Sequence, residues 1–207
     1  ISVIFCLLIF FPGLLKGQAI SSSNLALYHP PYSSSTTVTN SYSSLSDLMD
    51  IENPPNNFFV NTLRDFQLPK FSTLTQLGRP LLDSGTNEFM NPLFTLALII
   101  FGSTFGTTFY IIVKFCIGAY FFRKVLKFFE FSDISSFIGS FVFTFNSFTA
   151  SKMQEGLTSY FLFFPWLVWN SIRIIDREKI GKNEIIVTII SLYCFVSGAY
   201  PPALTYY

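Results

Sequence analysis

Charge is what this sequence has least of. Asp, Glu, Lys and Arg make up 12% of its 207 residues, and 50% are hydrophobic. Ordinary soluble domains carry about a quarter of their residues as charges, so the deficit points to lipid as the solvent for much of the surface. The net charge is +1, which removes the electrostatic case for a nucleic-acid partner. Histidine occurs once, at His29; it cannot build a zinc site with the available partners and reads as a loop residue. Cysteine is scarce too. Cys6, Cys116 and Cys194 lie in apolar runs, none with a second Cys or a His at metal-ligand spacing. They read as buried thiols that pack as small apolar side chains. Internal repeats are absent.

Phenylalanine, by contrast, supplies 27 residues. Ile, Asn, Lys and Ser are also common, a pattern of base bias, so individual Phe residues are not read as sites. Residues 1–15, ISVIFCLLIFFPGLL, carry no charge. A full span needs about 20 residues, so the run is expected to be a truncated first transmembrane helix. The alternative is a signal peptide, for which GQAISSS at 17–23 imitates a cleavage site, though no basic start precedes the run. The first residue is Ile and the last ones, ALTYY, stop in mid-pattern; the chain is expected to be an N-terminal fragment.

Residues 16–92 differ. Ser, Thr, Asn and Tyr crowd 21–47, and Pro30-Pro31 and NPPNN (53–57) read as breakers. Between breakers, Phe58, Phe59, Leu63 and Phe66 recur at helical spacing and predict a short amphipathic helix ended by Pro69. A loop of this length is expected to be functional. The apolar stretch 88–122 is too long for one straight span, and GSTFG at 102–106 interrupts it. It is expected to split into a short helix, 89–101, and a span, 105–122. Further apolar segments follow at 133–150, 157–175 (with Pro165 as a kink satisfied by neighbours) and 184–200.

Short basic loops orient such a chain. Arg123, Lys124 and Lys127 flank one, and Arg173, Arg177, Lys179 and Lys182 another. With both cytoplasmic, the 16–92 loop, the 151–156 turn and the segment after Tyr200 fall outside. The expected fold class is an all-α polytopic membrane protein with one long external loop between the first and second spans.

The order of short motifs resembles a known family. SDL at 46–48, LPKF at 68–71, GRPLLDS at 78–84 and NPLF at 91–94 are followed by FVFTFNSFTASKMQEGLTSYFLFFPWLVW (141–169) and SGAYPPALTYY (197–207). This is similar to the YfhO-like bacterial membrane proteins of the GT-C type glycosyltransferase superfamily, over about residues 40–207. The sequence departs from the family pattern after Pro69, where Lys70, Phe71 and Ser72 stand, and in the polar turn, where Gln154 and Glu155 stand near the place of a customary His. The resemblance implies a GT-C-like helical bundle in the bacterial cytoplasmic (inner) membrane. It further implies transfer of a sugar from a polyprenyl-phosphate donor to a glycan or polymer acceptor of the cell envelope. The alternative is a non-catalytic polytopic protein, a transporter or lipid flippase.

The resemblance also implies an acid in the first external loop that serves as base or helps hold a metal, and Asp47 is the matching position. A partly desolvated carboxylate can be tuned for that proton transfer. Asp50 lies three residues on and would share a helical face with Asp47; with Glu52 it could hold Mg²⁺ or Mn²⁺ through oxygen ligands. The plainer reading of Asp47 is a helix N-cap. A lipid-phosphate leaving group needs cations or N–H donors. Arg79, held between Gly78 and Pro80, and Lys114, in mid-span, are the substrate-binding candidates, with Asp83 and Glu155 beside them. Lys114 would otherwise snorkel, and Glu155 would otherwise serve a helix N-terminus. Arg79, Asp83 and Glu88 are expected to face an external cavity. Trp166 and Trp169 read as packing or interfacial anchors.

Overall fold

The computed structural model describes residues 2–17, 53–68, 71–72, 79–80, 88–176 and 181–198, and these are almost wholly helical. In chain order they form α1 (Ser2–Leu15), α2 (Asn53–Arg64) and an antiparallel ladder of β1 (Phe71–Ser72) with β2 (Arg79–Pro80). A single 3-10 turn, Glu88–Met90, leads into α3 (Pro92–Phe128), α4 (Asp133–Thr144), α5 (Ser147–Ser151), α6 (Gly156–Ile175) and α7 (Lys182–Gly198).

Helix α3 is long and apolar enough to cross a membrane by length and composition, but it is not one rod. Gly102 has φ 76° and ψ 179°, a region closed in practice to any residue with a Cβ, and the chain folds back there. Along a straight helix Phe94 and Tyr110 would stand about 24 Å apart; their ring centroids are 4.9 Å apart. A Cβ on Gly106 would meet the Ala97 carbonyl oxygen at 2.6 Å and Leu98 Cα at 2.8 Å. The two arms thus touch backbone to backbone, and only glycine fits at 106. The arm 92–101 is about 15 Å long and the arm 103–128 about 39 Å, so the second alone exceeds the ~30 Å of a hydrocarbon core. The interruption expected at 102–106 falls at Gly102, and it makes a hairpin. The long arm also outruns the expected end at 122. Residues 123–128 are rich in good helix formers, and the stop comes at Glu130, with φ 62°. There the Glu130 N–H donates to Lys127 O at 3.1 Å and the Phe131 N–H to Leu126 O at 3.2 Å, the Schellman closure.

Pairings fix each helix's direction. Lys114 meets Ser159 at 3.0 Å and Phe121 stacks on Trp166 at 5.4 Å, so the long arm of α3 and α6 run parallel. Helix α4 runs against them: Arg123 pairs with Asp133 at its start, at 3.3 Å, and Phe115 meets Phe145 at its end, at 5.3 Å. Helix α1 follows α4, Phe5 meeting Phe137 at 5.7 Å and Phe10 meeting Phe145 at 6.3 Å. Helix α7 opposes α6 through Arg173–Glu184 at 3.2 Å and Asn170 Nδ2 donating to Ser191 Oγ at 2.9 Å. One end of the bundle thereby collects Arg123, Lys124, Lys127, Arg173 and Lys182. There Asp133 also lies 3.3 Å from Lys127, whose hydrogen bond and charge, followed by those of Arg123, hold its carboxyl below the usual range. The opposite end receives the last turn of α1, the 3-10 turn, the 152–155 turn and the last turns of α7.

The NPPNN segment is not a breaker but the start of α2. Its prolines fall in the first turn, where the missing N–H has no helical partner to lose. Phe59 and Val60 are buried with Phe58 and Leu63 beside them, and Phe59 stacks on Phe89 at 4.1 Å. Phe66, expected on the same face, is fully exposed. Helix α2 ends at Arg64, short of Pro69, because Phe66 takes φ 56°. The Gln67 N–H then caps Thr62 O at 3.0 Å and the Phe66 N–H caps Leu63 O at 3.0 Å. The apolar segment 133–150 breaks at Phe145, and Asn146 caps α5 by accepting from the Thr149 N–H at 3.0 Å. Pro165 is buried within α6. Trp166 packs against Phe121 and Phe163, its indole N–H buried without a hydrogen-bond partner among the described residues. Cys6, Cys116 and Cys194 are free thiols, Cys6 and Cys194 buried. Outside the core, Ile4, Leu8, Ile134, Val142, Ile186 and Ile189 are each more than half exposed.

Candidate functional site

Between Pro92 and Phe122 the only charged residue is Lys114. It is fully buried, so the snorkelling expected of a mid-span lysine does not occur. A buried ammonium is costly unless paired and hydrogen-bonded, and three elements supply partners. Lys114 Nζ donates to Ser159 Oγ on α6 at 3.0 Å and to the Glu155 carbonyl oxygen at 3.4 Å. Glu88 Oε1, from the 3-10 turn, stands 3.6 Å away. The Tyr110 ring lies beneath the ammonium, 5.2 Å from nitrogen to centroid, within cation–π range.

Glu88, expected to face an external cavity, is 6% exposed. The hairpin of α3 is the reason: folding at Gly102 carries residues 88–91 back along the long arm. Ser159 donates to Glu88 Oε1 at 2.8 Å, and the Tyr110 hydroxyl donates to Glu88 Oε2. Tyr110 also lies 3.1 Å from Ser159 Oγ. Asn91 completes the corner. Its side-chain oxygen caps α3 by accepting from the Leu93 N–H at 3.1 Å, while Nδ2 donates to Tyr110 at 3.1 Å and to the Cys194 carbonyl at 3.3 Å. One residue thus ties together the start of α3, its long arm and the end of α7.

Of the residues chosen from the sequence, Lys114 lies at the centre of this network. Glu155 joins it through its backbone. The Glu155 side chain turns to Lys152 at 2.6 Å and makes no cap for α6. Arg79 stands in β2, its backbone paired with Ser72. Asp47, Asp50, Glu52 and Asp83 lie outside the described residues, and so does the expected meeting of Asp47 with Arg79. Among the described residues no group of three or more His, Cys, Asp or Glu is placed to hold a metal ion. Glu88 was read only as facing an external cavity, and Asn91, Tyr110 and Ser159 escaped the sequence reading. A signal existed for Glu88, since a lone lysine in an apolar run requires an acid, but which acid depends on how the chain folds back.

Chemically, the site is a neutral ion pair inside an apolar bundle, with two hydroxyls and an amide completing its bonds. It lies about 16 Å along the long arm from Ser103. Comparison with protein-family models gives no match, and neither curated proteins nor solved structures give one.

Proposed function

We propose that the chain belongs to a polytopic membrane glycosyltransferase of the GT-C type, which moves a sugar from a polyprenyl-phosphate donor to a cell-envelope acceptor. The observation that carries the reading is the convergence on Lys114. Glu88 belongs to the long loop and Glu155 to the 152–155 turn, two segments that the charge distribution assigns to the same external face. Both reach the same buried cation. The alternating helix directions and the cations gathered at the opposite end favour a multi-pass arrangement in the bacterial cytoplasmic membrane. The exposed Ile, Leu and Val of α1, α4 and α7 suit contact with lipid. The order of motifs over 40–207 supports the family.

In the reaction, the acceptor hydroxyl oxygen bonds to the anomeric carbon. The bond from that carbon to the phosphate oxygen breaks, leaving its electron pair on the phosphate. The hydroxyl proton passes to Asp47. Lys114 offsets the charge that develops on the phosphate. Asp50 and Glu52 are the candidates to hold Mg²⁺ or Mn²⁺. The test uses the intact protein in liposomes with a polyprenyl-phosphate donor carrying a radiolabelled sugar. Asp47→Asn is expected to lower transfer about 100-fold or more, in the range of general-base loss; full activity removes Asp47 as base. Unchanged transfer after treatment with a chelator removes the metal.

A second reading, a lipid flippase or transporter, is favoured by the break at Gly102, since such proteins place broken helices at mid-membrane. It requires the labelled sugar to cross the bilayer while still attached to its lipid, and it fails if label appears on the acceptor.

A further inference from the structure

The α3 hairpin has two unlike faces. Residues 93–113 carry no charge. The exposed side chains among them are Leu96, Ile99 and Ile100 on the short arm, Phe101 at the corner, and Phe105 and Phe109 on the long arm. Thr104, at the tip, adds the one polar group. The Phe101 and Phe109 rings meet at 4.6 Å, so the apolar residues of both arms join in one surface. The other face is covered by α2. Phe59 and Val60 cluster with Phe94, Ala97 and Leu98, and Ser103 donates to Asn57. Away from that contact α2 exposes Asn57, Asn61, Arg64 and Asp65, residues that belong in water.

Length sets the depth of the hairpin. From Arg123, the first charge met at the basic end of the long arm, to Ser103 at the tip is 20 residues, or about 30 Å, the thickness of a hydrocarbon core. With Arg123 at one boundary, the tip stands at the other. The break requires this as well: Gly102 is non-helical, the helix ends beside it leave backbone groups without helical partners, and lipid cannot satisfy them. We propose that the hairpin is re-entrant, its short arm confined to the outer half of the bilayer and its apolar face covered by phospholipid acyl chains, while α2 holds the watery side. The inference rests on the multi-pass membrane reading and not on sugar transfer. The exposed stripe runs on through Val113 and Cys116, both part-exposed, to exposed Tyr120, so the hairpin continues the outer surface of the helix that is long and apolar enough to cross a membrane.

The experiment places the intact chain in vesicles of phosphatidylcholine and phosphatidylglycerol. Cys6, Cys116 and Cys194 are replaced by Ala, and a nitroxide is attached at Leu96→Cys, Phe105→Cys, Phe109→Cys, Asn61→Cys or Ile189→Cys, one at a time. Collisions with oxygen, which enters lipid, are compared with collisions with a water-soluble nickel chelate. Leu96 and Phe109, each about 9 Å along its arm from the corner, are expected to lose the chelate and keep oxygen. Phe105 should lie shallower than both, and Asn61 should keep the chelate. Chelate access at Leu96 and Phe109 equal to that at Asn61, with Ile189 on α7 shielded, overturns the proposal alone; access at Ile189 too overturns the membrane reading with it. Loss of both probes at Leu96 and Phe109 means that protein covers the face, another segment or a second copy, and overturns the lipid as occupant. Equal depth at Leu96 and Phe105 means that the arm lies along the surface, and overturns the re-entrant course. In the unsubstituted protein, phosphatidylcholine with a photoactivatable diazirine in its acyl chain is expected to label 93–113 and spare 53–64; the reverse pattern overturns the proposal without recourse to any variant.

Discussion

Lys114 Nζ lies 3.6 Å from Glu88 Oε1 inside the helix bundle, with the ammonium fully buried. This pair ties the turn that precedes α3 to the middle of its long arm. The bundle at this depth is therefore governed by the energetics of a buried ion pair.

Removing one partner leaves the other charged and unpaired, which typically costs about 3–5 kcal/mol, while removing both is close to neutral. Lys114→Met is therefore expected to lower the thermal midpoint in detergent sharply. Glu88→Gln/Lys114→Met should recover most of the loss. A double variant as unstable as the single one would show that the pair is not what the bundle depends on there.

Gly102 holds φ 76°, and Gly106 has no room for a Cβ against Ala97 and Leu98. Gly102→Ala is expected to destabilise by about 1–3 kcal/mol through backbone strain. Gly106→Val should separate the arms and unseat Phe94 from Tyr110. Chemical denaturation of each variant measures the first effect. Faster exchange of the 92–101 amides measures the second, and unchanged exchange would contradict the hairpin.

Phe66 adopts a left-handed conformation at the C-terminus of α2, where glycine is the usual residue. Its side chain makes no burial to offset the strain, being fully exposed. Phe66→Gly is expected to stabilise α2 by about 1 kcal/mol, seen as slower amide exchange between Asn57 and Arg64. Faster exchange would mean that the ring matters in a way its exposure does not suggest.

Asp133 carries a lowered pKa because of Lys127 first and Arg123 second. A carboxylate whose folded pKa is depressed contributes stability above its unfolded pKa and loses it as pH falls through the folded value. Its contribution should therefore persist at neutral pH and fade only on acidification below the ordinary carboxylate range. The pair is exposed, so the effect is small and screened by salt. NMR titration of the Asp133 carboxyl checks it: Lys127→Met should move the midpoint upward, and an unmoved midpoint would remove Lys127 as the cause.

Local features were legible. The face of Phe59 and Leu63 follows from helical spacing, and the break at 102–106 from its glycines. Others were misplaced for local reasons. NPPNN reads as a breaker because proline is usually one, yet at a helix start it loses nothing. Phe66 reads as a core residue because periodicity is blind to a left-handed stop two residues after the helix ends.

By itself the sequence determined that the chain is apolar, that it is built of helices, where α3 is interrupted and that Lys114 is the one charge between Pro92 and Phe122. These depend on composition and on residues within a few positions of one another. Only the tertiary structure decided that Gly102 turns α3 into a hairpin and that α6 runs beside its long arm. That arrangement brings Glu88, Asn91, Tyr110 and Ser159 to one lysine. The bonds among them join residues far apart in the chain, and no spacing rule encodes which buried acid will reach which buried cation. That is fixed by helix direction and depth, through the requirement that every buried charge find a partner.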